Sequence, residues 1–199
     1  MSQIKLKHSG GNGVIIAAPS SNPAADRTLL LPGDGDSTID TLGRAGNILQ
    51  VVQDFLNTTV AITSVAGDST TFTDTGLSAT ITPTSTSSKI FILATIYHSS
   101  LAATNTARFN IVRDSTNIAQ PASGSGGNDG TTIMYLNIAS MITFPMCFVD
   151  SPSTTSATTY KIQLGFDSPS GNTVHYLNRY FGADQYRGTS TLTLIEVSG

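Results

Sequence analysis

Residues 89–100 read KIFILATIYHSS, the longest strand-forming run in the chain. Its apolar residues fall on both faces of a strand: Ile90, Ile92, Ala94 and Ile96 on one, and Phe91, Leu93 and Tyr97 on the other. A two-sheet sandwich ordinarily buries one face of a strand and leaves the other in water. The run therefore predicts a core strand whose outer face meets another subunit.

The composition around this strand favours β-structure. Of 199 residues, 29 are Thr and only 4 are Lys, and Glu196 is the single Glu. Thr favours strands, whereas surface helices draw on Glu, Lys, Ala and Leu. We expect an all-β protein that is long enough to bury a core without disulfides.

From Gly46 onward the chain reads as nine or ten strands at regular spacing, the pattern of a sandwich or jelly roll. The first of them, ILQVVQ, has an alternative as a helix over 47–56, because its apolar residues also fit one helical face. We prefer the strand because adjacent Val residues resist helix.

Turn residues predict where these strands end. We expect a turn near Asp74–Gly76, a hairpin turning at Asp114–Asn117 and a break near Ser140. We also expect a hairpin over 160–179 closed through Pro169–Asn172, a flexible loop over 121–132 and a terminal strand that turns Leu192, Leu194 and Glu196 to one side.

Residues 1–46 differ from the rest of the chain. Apolar pieces of four to six residues alternate there with Gly, Pro, Asn and Asp. Strands this short cannot enclose a core of their own. We therefore predict an extended N-terminal arm of short strands over 1–46, which is stable only against a partner, and a jelly-roll domain over 47–199.

Charge and cysteine usage narrow the partners. The net charge is −3 with no basic block, so we expect no nucleic-acid binding. No apolar run reaches a membrane span, and the N-terminus lacks a signal peptide's apolar core, so we expect no membrane partner and synthesis in a cytoplasm. The single Cys147, in an apolar strand, is expected to be buried.

No residue pattern predicts an enzyme or a cofactor. His8, His98 and His175 lack metal-ligand spacing, and we interpret them as residues at a solvent edge or an interface. Asp34, Asp36 and Asp40 faintly resemble a calcium loop but lack its closing Glu, so a polar turn is the favoured interpretation and a bound cation stays open. The one Glu leaves no Glu pair for glycoside cleavage.

One stretch, YLNRYFGADQYRG at 176–188, is the best candidate for a contact surface. It groups Arg179, Tyr180, Phe181, Tyr186 and Arg187. Aromatic residues and Arg are enriched at interfaces. The stretch would face either a subunit or a ligand.

Two regions resemble proteins of tailed-phage virions. The arm has a KHSGGNGV strand, a TLLLP strand and a GNILQVVQ entry at 7–14, 28–32 and 46–53, as in the opening segment of virion proteins of aquatic phages and cyanophages. Several phrases, among them RFNIVRDSTNIAQP at 108–121 and GTSTLTLIEV at 188–197, resemble the trimeric β-domain that ends many tail-fibre and virion-surface proteins. That domain is similar to jelly rolls of the C1q and tumour-necrosis-factor type.

The resemblance implies a homotrimer on a virion surface, assembled in the host cytoplasm with other virion proteins, either the major capsid protein or tail proteins. It supplies no catalytic residues. We predict arm attachment through Val14, Ile15, Ile16, Leu29, Leu30 and Leu31, and trimer contacts through Phe91, Leu93 and Tyr97.

Two functions fit this prediction. A capsid decoration (cement) protein is preferred, because the short arm leaves no room for a tail-docking domain and a long shaft. A short tail fibre or receptor-binding tip, with a host surface glycan as ligand, is the alternative. A depolymerase is disfavoured because no acidic constellation marks an active site.

Overall fold

The computed structural model describes most of the chain from residue 45 onward and two short segments before it. The described residues are 3–7, 10–11, 13–17, 45–65, 67, 70–100, 105–122, 129–136, 140–167 and 172–199. For 3–7, 13–17, 105, 135, 136 and 183 only the backbone is described.

The protein is all-β, as the composition predicts. The strands are β1 (Gln3–Lys7), β2 (Gly13–Ala17), β3 (Ile48–Leu56), β4 (Val60–Thr63), β5 (Phe72–Ile81), β6 (Lys89–Ser100), β7 (Asn105–Arg113), β8 (Thr116–Ile118), β9 (Thr132–Leu136), β10 (Met141–Asp150), β11 (Thr158–Phe166), β12 (Val174–Leu177), β13 (Arg179–Tyr180), β14 (Ala183–Arg187) and β15 (Ser190–Val197). The described residues contain no helix, so the helical alternative over 47–56 is wrong and the strand prediction is confirmed.

The chain divides into two compact units, Met1–Ile39 and Asp40–Gly199. In the first unit, β1 and β2 form an antiparallel hairpin in which Gln3 pairs with Ala17 and Lys7 with Gly13. Two of the short strands expected in the arm are therefore present. The arm's functional boundary at 46 stays a prediction.

The second unit is an antiparallel sandwich of the jelly-roll type. In one sheet the strand order is β3-β15-β6-β10; β12 pairs with the last residues of β6, and β4 pairs with β12. In the other sheet the order is β5-β11-β7, where β9 pairs with the first part of β7 and β8 with its last three residues. The chain changes sheet between β5 and β6, between β6 and β7, and again on both sides of β10. These repeated crossings are what bring residues far apart in sequence onto one face.

The core lies between the two sheets, and β6 behaves as its sequence predicts. Ile90, Ile92 and Ile96 are completely buried. They pack with the inward residues of the other strands, which include Leu77, Phe109, Phe144, Tyr160, Ile162, Leu164, Leu192 and Leu194. The alternation of β15 is also confirmed, because Leu192, Leu194 and Glu196 are buried.

The turn expected near Asp74–Gly76 is wrong, because β5 continues through it as a bulge. Opposite Ile162, β5 holds three residues where β11 holds one, since Gln163 pairs with Asp74 and Lys161 pairs with Ser78. Gly76 has φ +87°, a left-handed conformation that suits glycine. The Thr75 hydroxyl donates to the Ile162 carbonyl at 2.8 Å and holds the bulge in place. The glycine therefore marks a bend within a strand.

The hairpin expected over 160–179 is also wrong. Strand β11 pairs with β5 and β7, while β12 pairs with β4 and β6 in the other sheet. Turn residues between two strands show that the chain reverses, and they do not say whether it returns to the same sheet. The hairpin at 114–117 is confirmed, since Arg113 pairs with Thr116, and so is the break near Ser140.

Strand β10 lies at a margin of the larger sheet, where it pairs with β6. Pro145 sits in its middle, opposite Thr95. Proline has no N–H to donate, so it is tolerated where that side of the strand has no partner. The margin is thereby a poor template for adding another strand.

A buried asparagine ties the end of β12 to the sheet. The Asn178 amide nitrogen donates to the carbonyls of Leu56, at 2.6 Å, and of Thr58, at 3.1 Å, while its amide oxygen accepts from Ser190 at 2.6 Å. Its backbone, at φ 60°, also donates to the Tyr97 carbonyl. Asn tolerates this left-handed conformation better than most residues, so the junction depends on its identity.

Candidate interaction surfaces

The outer face of the larger sheet is apolar across four strands. Phe91 of β6 pairs with Val149 of β10 on one side and with Ile195 of β15 on the other, and Ile195 pairs in turn with Val51 of β3. Directly paired residues place their side chains on the same face. Leu93 follows Phe91 on the same face of β6, and Phe55 lies on the same face of β3 beyond Gln53, which donates to Thr193. We call the set Val51, Phe55, Phe91, Leu93, Val149 and Ile195 the apolar face.

Four members of the apolar face are strongly exposed. Relative exposure is 58% for Val51, 56% for Phe55, 47% for Val149 and 40% for Leu93. Single exposed apolar residues are ordinary, whereas a contiguous patch marks an interaction site. The apolar face thus has the character of a surface that another molecule covers.

The predicted trimer residues fall on this side of the sheet, but in two different settings. Phe91 and Leu93 belong to the apolar face. Tyr97 is half-buried, because its ring packs directly on Gly188 of its own chain. The contact is so close that a Cβ added at Gly188 would stand 2.6 Å from the ring. Their role in a trimer stays a prediction. Sequence reasoning missed the members on β3, β10 and β15, since only strand pairing brings them beside Phe91.

The expectation that Cys147 is buried is wrong. Its thiol is exposed on β10 opposite Leu93, beside the apolar face. The neighbours Met146 and Phe144 are the residues that point into the core. An apolar sequence context does not fix which face a strand residue takes, because a strand apolar on both faces has no polar register to follow.

The aromatic and arginine residues of 176–188 gather around a short hairpin formed by β13 and β14. The Tyr180 ring lies 4.7 Å from that of Phe181 and 6.0 Å from that of Tyr186. The Arg187 guanidinium bonds the Asp184 carboxylate at 2.7 Å. We call Arg179, Tyr180, Phe181, Asp184, Tyr186 and Arg187 the hairpin surface.

Arg179 joins the hairpin surface to the sheet below it. Its guanidinium lies 4.6 Å from the Tyr176 ring centre and 3.5 Å from an Asp184 carboxylate oxygen. The Ser99 hydroxyl donates to its carbonyl at 2.6 Å. The structure therefore brings the five predicted contact residues together, and their partner stays a prediction.

An open groove of about 350 Å³ lies at the hairpin surface. It is lined by Met141, Tyr180 and Tyr186. Tyr186 is 58% exposed. Aromatic rings at a groove provide large, stiff contact area at low entropic cost, which suits either a protein or a ligand partner.

His98 and His175 are not at a solvent edge or an interface, as the sequence interpretation had them. Both are fully buried, with His98 Nε2 3.0 Å from His175 Nδ1. The His98 ring stands edge-on to Phe109 and Phe144, and the His175 ring lies 4.0 Å from that of Phe166. Their spacing of 77 residues hid the pair.

The remaining nitrogens of this pair, His98 Nδ1 and His175 Nε2, have no hydrogen-bond partner among the described residues. Burial, reinforced by the charge of His175, lowers the pKa of His98 to about 3, and burial lowers the pKa of His175 to about 4. Both rings are therefore neutral at pH 7.

A second buried polar cluster joins the two sheets near the other end of β6. Asp150, which pairs with Ile90, accepts from the Arg113 guanidinium at 2.8 and 3.0 Å and from the Tyr160 hydroxyl at 2.7 Å. Burial, with the Asp150 carboxylate beside it, raises the pKa of Tyr160. Each charge and hydroxyl of this cluster has a partner, so its geometry is that of a link between the two sheets.

Glu196, the single Glu, is buried beside the turn at 82–88. It accepts from the Thr84 amide at 2.6 Å, the Thr84 hydroxyl at 2.7 Å and the Gln50 amide at 2.5 Å. Burial alone would raise the pKa of Glu196, but these hydrogen bonds outweigh it and lower the pKa. Its geometry is that of a strand-to-turn anchor.

The remaining predicted sites are described only in part. Val14, Ile15 and Ile16 lie in β2, with their backbones alone described, and Leu29, Leu30, Leu31, His8, Asp34 and Asp36 lie outside the described residues. Within the described ranges, no three His, Cys, Asp or Glu residues come together as metal ligands would. The same part of the chain holds no helix long and apolar enough to cross a membrane.

Comparison with known proteins gives matches in structure alone. No protein-family model and no curated protein matches the sequence. Two solved structures that match are of infectious bursal disease virus. The Gx strain matches with TM-score 0.47 and 12% identity, and the Gt strain with TM-score 0.47 and 13% identity. This chain is covered over 94 and 95% of its length but spans about half of each virus chain, 49 and 48%. At this level of likeness nothing about function follows from them.

Proposed function

We propose that the chain is a non-enzymatic structural protein on the surface of a tailed-phage virion, where it acts as a trimeric decoration protein of the head. The observation that carries the proposal is the apolar face. One row of this sheet face runs Val51, Ile195, Phe91, Val149 across four strands, with Leu93 beside it, and an apolar patch of this kind marks an interaction site. The resemblance of its sequence phrases to trimeric virion domains supports a second and third copy as that partner.

Self-association through the apolar face agrees with the properties of the β10 edge of the larger sheet. Pro145 hinders β10 from adding a strand, so at this edge copies are better suited to meet through the apolar face than through strand pairing. Phe91 and Leu93 would lie in the contact, with Val51, Val149 and Ile195 beside them.

The arm would supply the link to the shell. In this proposal Val14, Ile15, Ile16, Leu29, Leu30 and Leu31 anchor the arm on the major capsid protein after assembly in the host cytoplasm. Each contact is small, but three arms per trimer act together, so the effective concentration of the second and third arms is high. Such a clamp would oppose shell expansion mechanically.

The oligomer is tested by placing a carboxylate on the apolar face. Leu93→Asp should convert a trimer into a monomer in native mass spectrometry, because a charge buried without a partner is strongly unfavourable. Ser78→Asp is the matched control, since Ser78 is exposed on the outer face of the other sheet. A monomeric wild-type protein, or a trimer in both variants, would remove this surface from the proposal.

The location is tested by counting copies per virion against the major capsid protein with quantitative mass spectrometry. Hundreds of copies support decoration of the head. A few to a few tens place the protein on the tail.

The second candidate is a short fibre or receptor-binding tip, and the groove at Met141, Tyr180 and Tyr186 favours it. A host surface glycan stacked on the tyrosines would be the ligand. The isolated protein should then compete with phage adsorption, and Tyr186→Ala should abolish the competition. Release of reducing sugar from host envelope by the pure protein would contradict both candidates.

A further inference from the structure

The His98–His175 pair stands where one corner of the sandwich is held by few backbone bonds. His175 is on β12, a strand of four residues. Only three residues of β12 pair with β6, from His175 opposite Ser100 to Leu177 opposite His98. On its other side β12 pairs with β4, which is itself four residues long and ends the sheet there.

We propose that the His98–His175 pair is an acid-sensitive latch: taking up a proton opens the corner formed by β4 and β12 and releases the hairpin surface from the sheet, while the rest of the sandwich stays closed. This inference is independent of the proposed virion role.

The surroundings of the pair offer an incoming proton no compensation. Phe109, Phe144 and Phe166 pack around the two rings. One ring nitrogen of each histidine already faces the other ring, and the second has no acceptor among the described residues. An imidazolium formed here would be a buried charge with one hydrogen bond at most.

The charged groups on the strands around the pair do not offset that cost. β7 carries two charged residues, Arg108 and Arg113, and Arg108 is the nearer of them to the histidine pair. Its guanidinium donates to the carbonyl of Phe166. Its positive charge opposes a second cation. Asp167 follows Phe166 and has an interaction of its own.

On the outer side of β12, the Arg179 guanidinium rests on the Tyr176 ring and lies beside the Asp184 carboxylate, which also binds Arg187. Most of the remaining charged groups lie on the outer face of the smaller sheet or toward the far end of the sandwich. Arg113 of β7 and Asp150 of β10 bind each other there, and Lys161 of β11 binds Asp74 of β5. Lys89 of β6 is nine residues from His98 and donates to Ser151, while β4 and β12 carry no charged residue.

Opening this corner would reach the hairpin surface directly. Strand β12 runs into it through Asn178, and Arg179 is the first residue of β13. The Arg179 guanidinium rests on the Tyr176 ring of β12, and its carbonyl is held by Ser99 of β6. If β12 leaves β6, the bond from Ser99 to the Arg179 carbonyl and the bond from the Asn178 amide to the Tyr97 carbonyl are both lost, while Tyr176 moves away together with Arg179. Binding by the hairpin surface would then depend on pH.

The test is hydrogen exchange of the full chain at pH 7 and pH 5, expressed as protection factors so that the intrinsic pH dependence of amide exchange is removed. We expect peptides covering β4 and β12 to lose protection at least about tenfold at pH 5, with β11 and β15 unchanged. Unchanged protection at β4 and β12, or an equal loss in every strand, would overturn the proposal.

Two variants separate the histidines from general acid effects. His98→Gln/His175→Asn keeps amide groups near the positions of His98 Nε2 and His175 Nδ1 but cannot titrate, so the loss at pH 5 should disappear. Tyr176→Phe, an outward-facing neighbour on β12, should retain it.

If the double variant does not fold, NMR titration of the wild-type imidazoles decides. Two rings that stay neutral until β12 opens support the latch. Two rings that titrate near pH 6.5 in a closed corner contradict it. His8→Gln assigns the third histidine signal.

Discussion

The two ends of β6 handle buried polarity in opposite ways. Near its start, Asp150 collects hydrogen bonds from Arg113 and Tyr160 and joins the two sheets. Near its end, His98 and His175 share one contact and leave a nitrogen each without a partner among the described residues. The first end stabilises a charge within the fold, and the second end tolerates its polar groups only while they are neutral.

The difference shows that burial alone does not decide what a polar cluster does. A carboxylate that accepts three hydrogen bonds of good length has its charge compensated within the fold. A pair of imidazoles among aromatic rings is stable only in the neutral state, so its contribution to stability depends on pH. The predictions below separate the two ends, beginning with the largest effect.

Acid should weaken the histidine end first. Both histidine pKa values are lowered on folding, so the unfolded chain binds more protons below pH 6.5 and stability falls as pH falls toward 4. By linkage, each histidine costs at most about 2 kcal/mol of unfolding free energy between pH 7 and pH 5, and less once the corner opens, because histidines in an open corner take up protons as they do in the unfolded chain. Urea unfolding at the two pH values measures it. The lowered pKa of Glu196 acts only below about pH 4.5, its ordinary value. Stability that is flat or rises toward pH 5 would contradict the account.

Removing the carboxylate should break the other end. Asp150→Ala leaves the Arg113 charge and the buried Tyr160 hydroxyl without their acceptor, and we expect a loss of about 3 kcal/mol at pH 7. The same unfolding measurement checks it. Asp184→Ala, in the exposed hairpin surface, is the control and should change stability by less than about 1 kcal/mol. Equal losses of unfolding free energy in the two variants would show that burial of the cluster adds nothing to the stability of the fold.

A smaller change tests one bond of the cluster. Tyr160→Phe removes the hydroxyl and keeps the ring, so Asp150 loses one donor but retains Arg113. The expected loss is about 1 kcal/mol. Thermal or urea unfolding of this variant, compared with that of Asp150→Ala, measures the loss. A loss as large as that of Asp150→Ala would mean that the Arg113 guanidinium contributes little to stability.

The smallest effect should come from an exposed pair of the same kind. Lys161 donates to the Asp74 carboxylate at 2.8 Å, and that bond is the main reason why the pKa of Asp74 is lowered. The Asp74 side chain is 54% exposed, so water replaces the lost partner. Lys161→Ala should cost less than about 0.5 kcal/mol, and less still in 0.5 M salt. A loss above 1 kcal/mol would place this pair with the buried ones.

The sequence predicted the fold class well because the signals are local. Thr-rich alternation and the single Glu favour strands, and the two-sided apolar pattern of β6 correctly marks its inner residues. Bends were harder to predict. Gly76 breaks the alternation of β5 as a turn would, yet the partner strand continues past it.

The candidate surfaces were predicted only where their residues are neighbours in sequence. The hairpin surface is one such case. The apolar face is assembled from β3, β6, β10 and β15, and its composition depends on pairings that no local pattern contains. The histidine pair is the extreme case, since neither His98 nor His175 has a local feature that points to the other. Jelly-roll crossings separate contacts in sequence, and this separation hid the site.

Pro145 bears on what would happen if many copies were held at high density, as the proposed decoration role requires. Many copies of a β-sandwich kept side by side on one scaffold are at a local concentration that promotes cross-β growth along any unblocked strand. A proline in the middle of β10 interrupts the row of amide donors that such growth needs. Copies can therefore be crowded along this edge without their strands joining into a continuous sheet. The Pro145→Thr variant should instead form fibrils, which thioflavin T binding would detect.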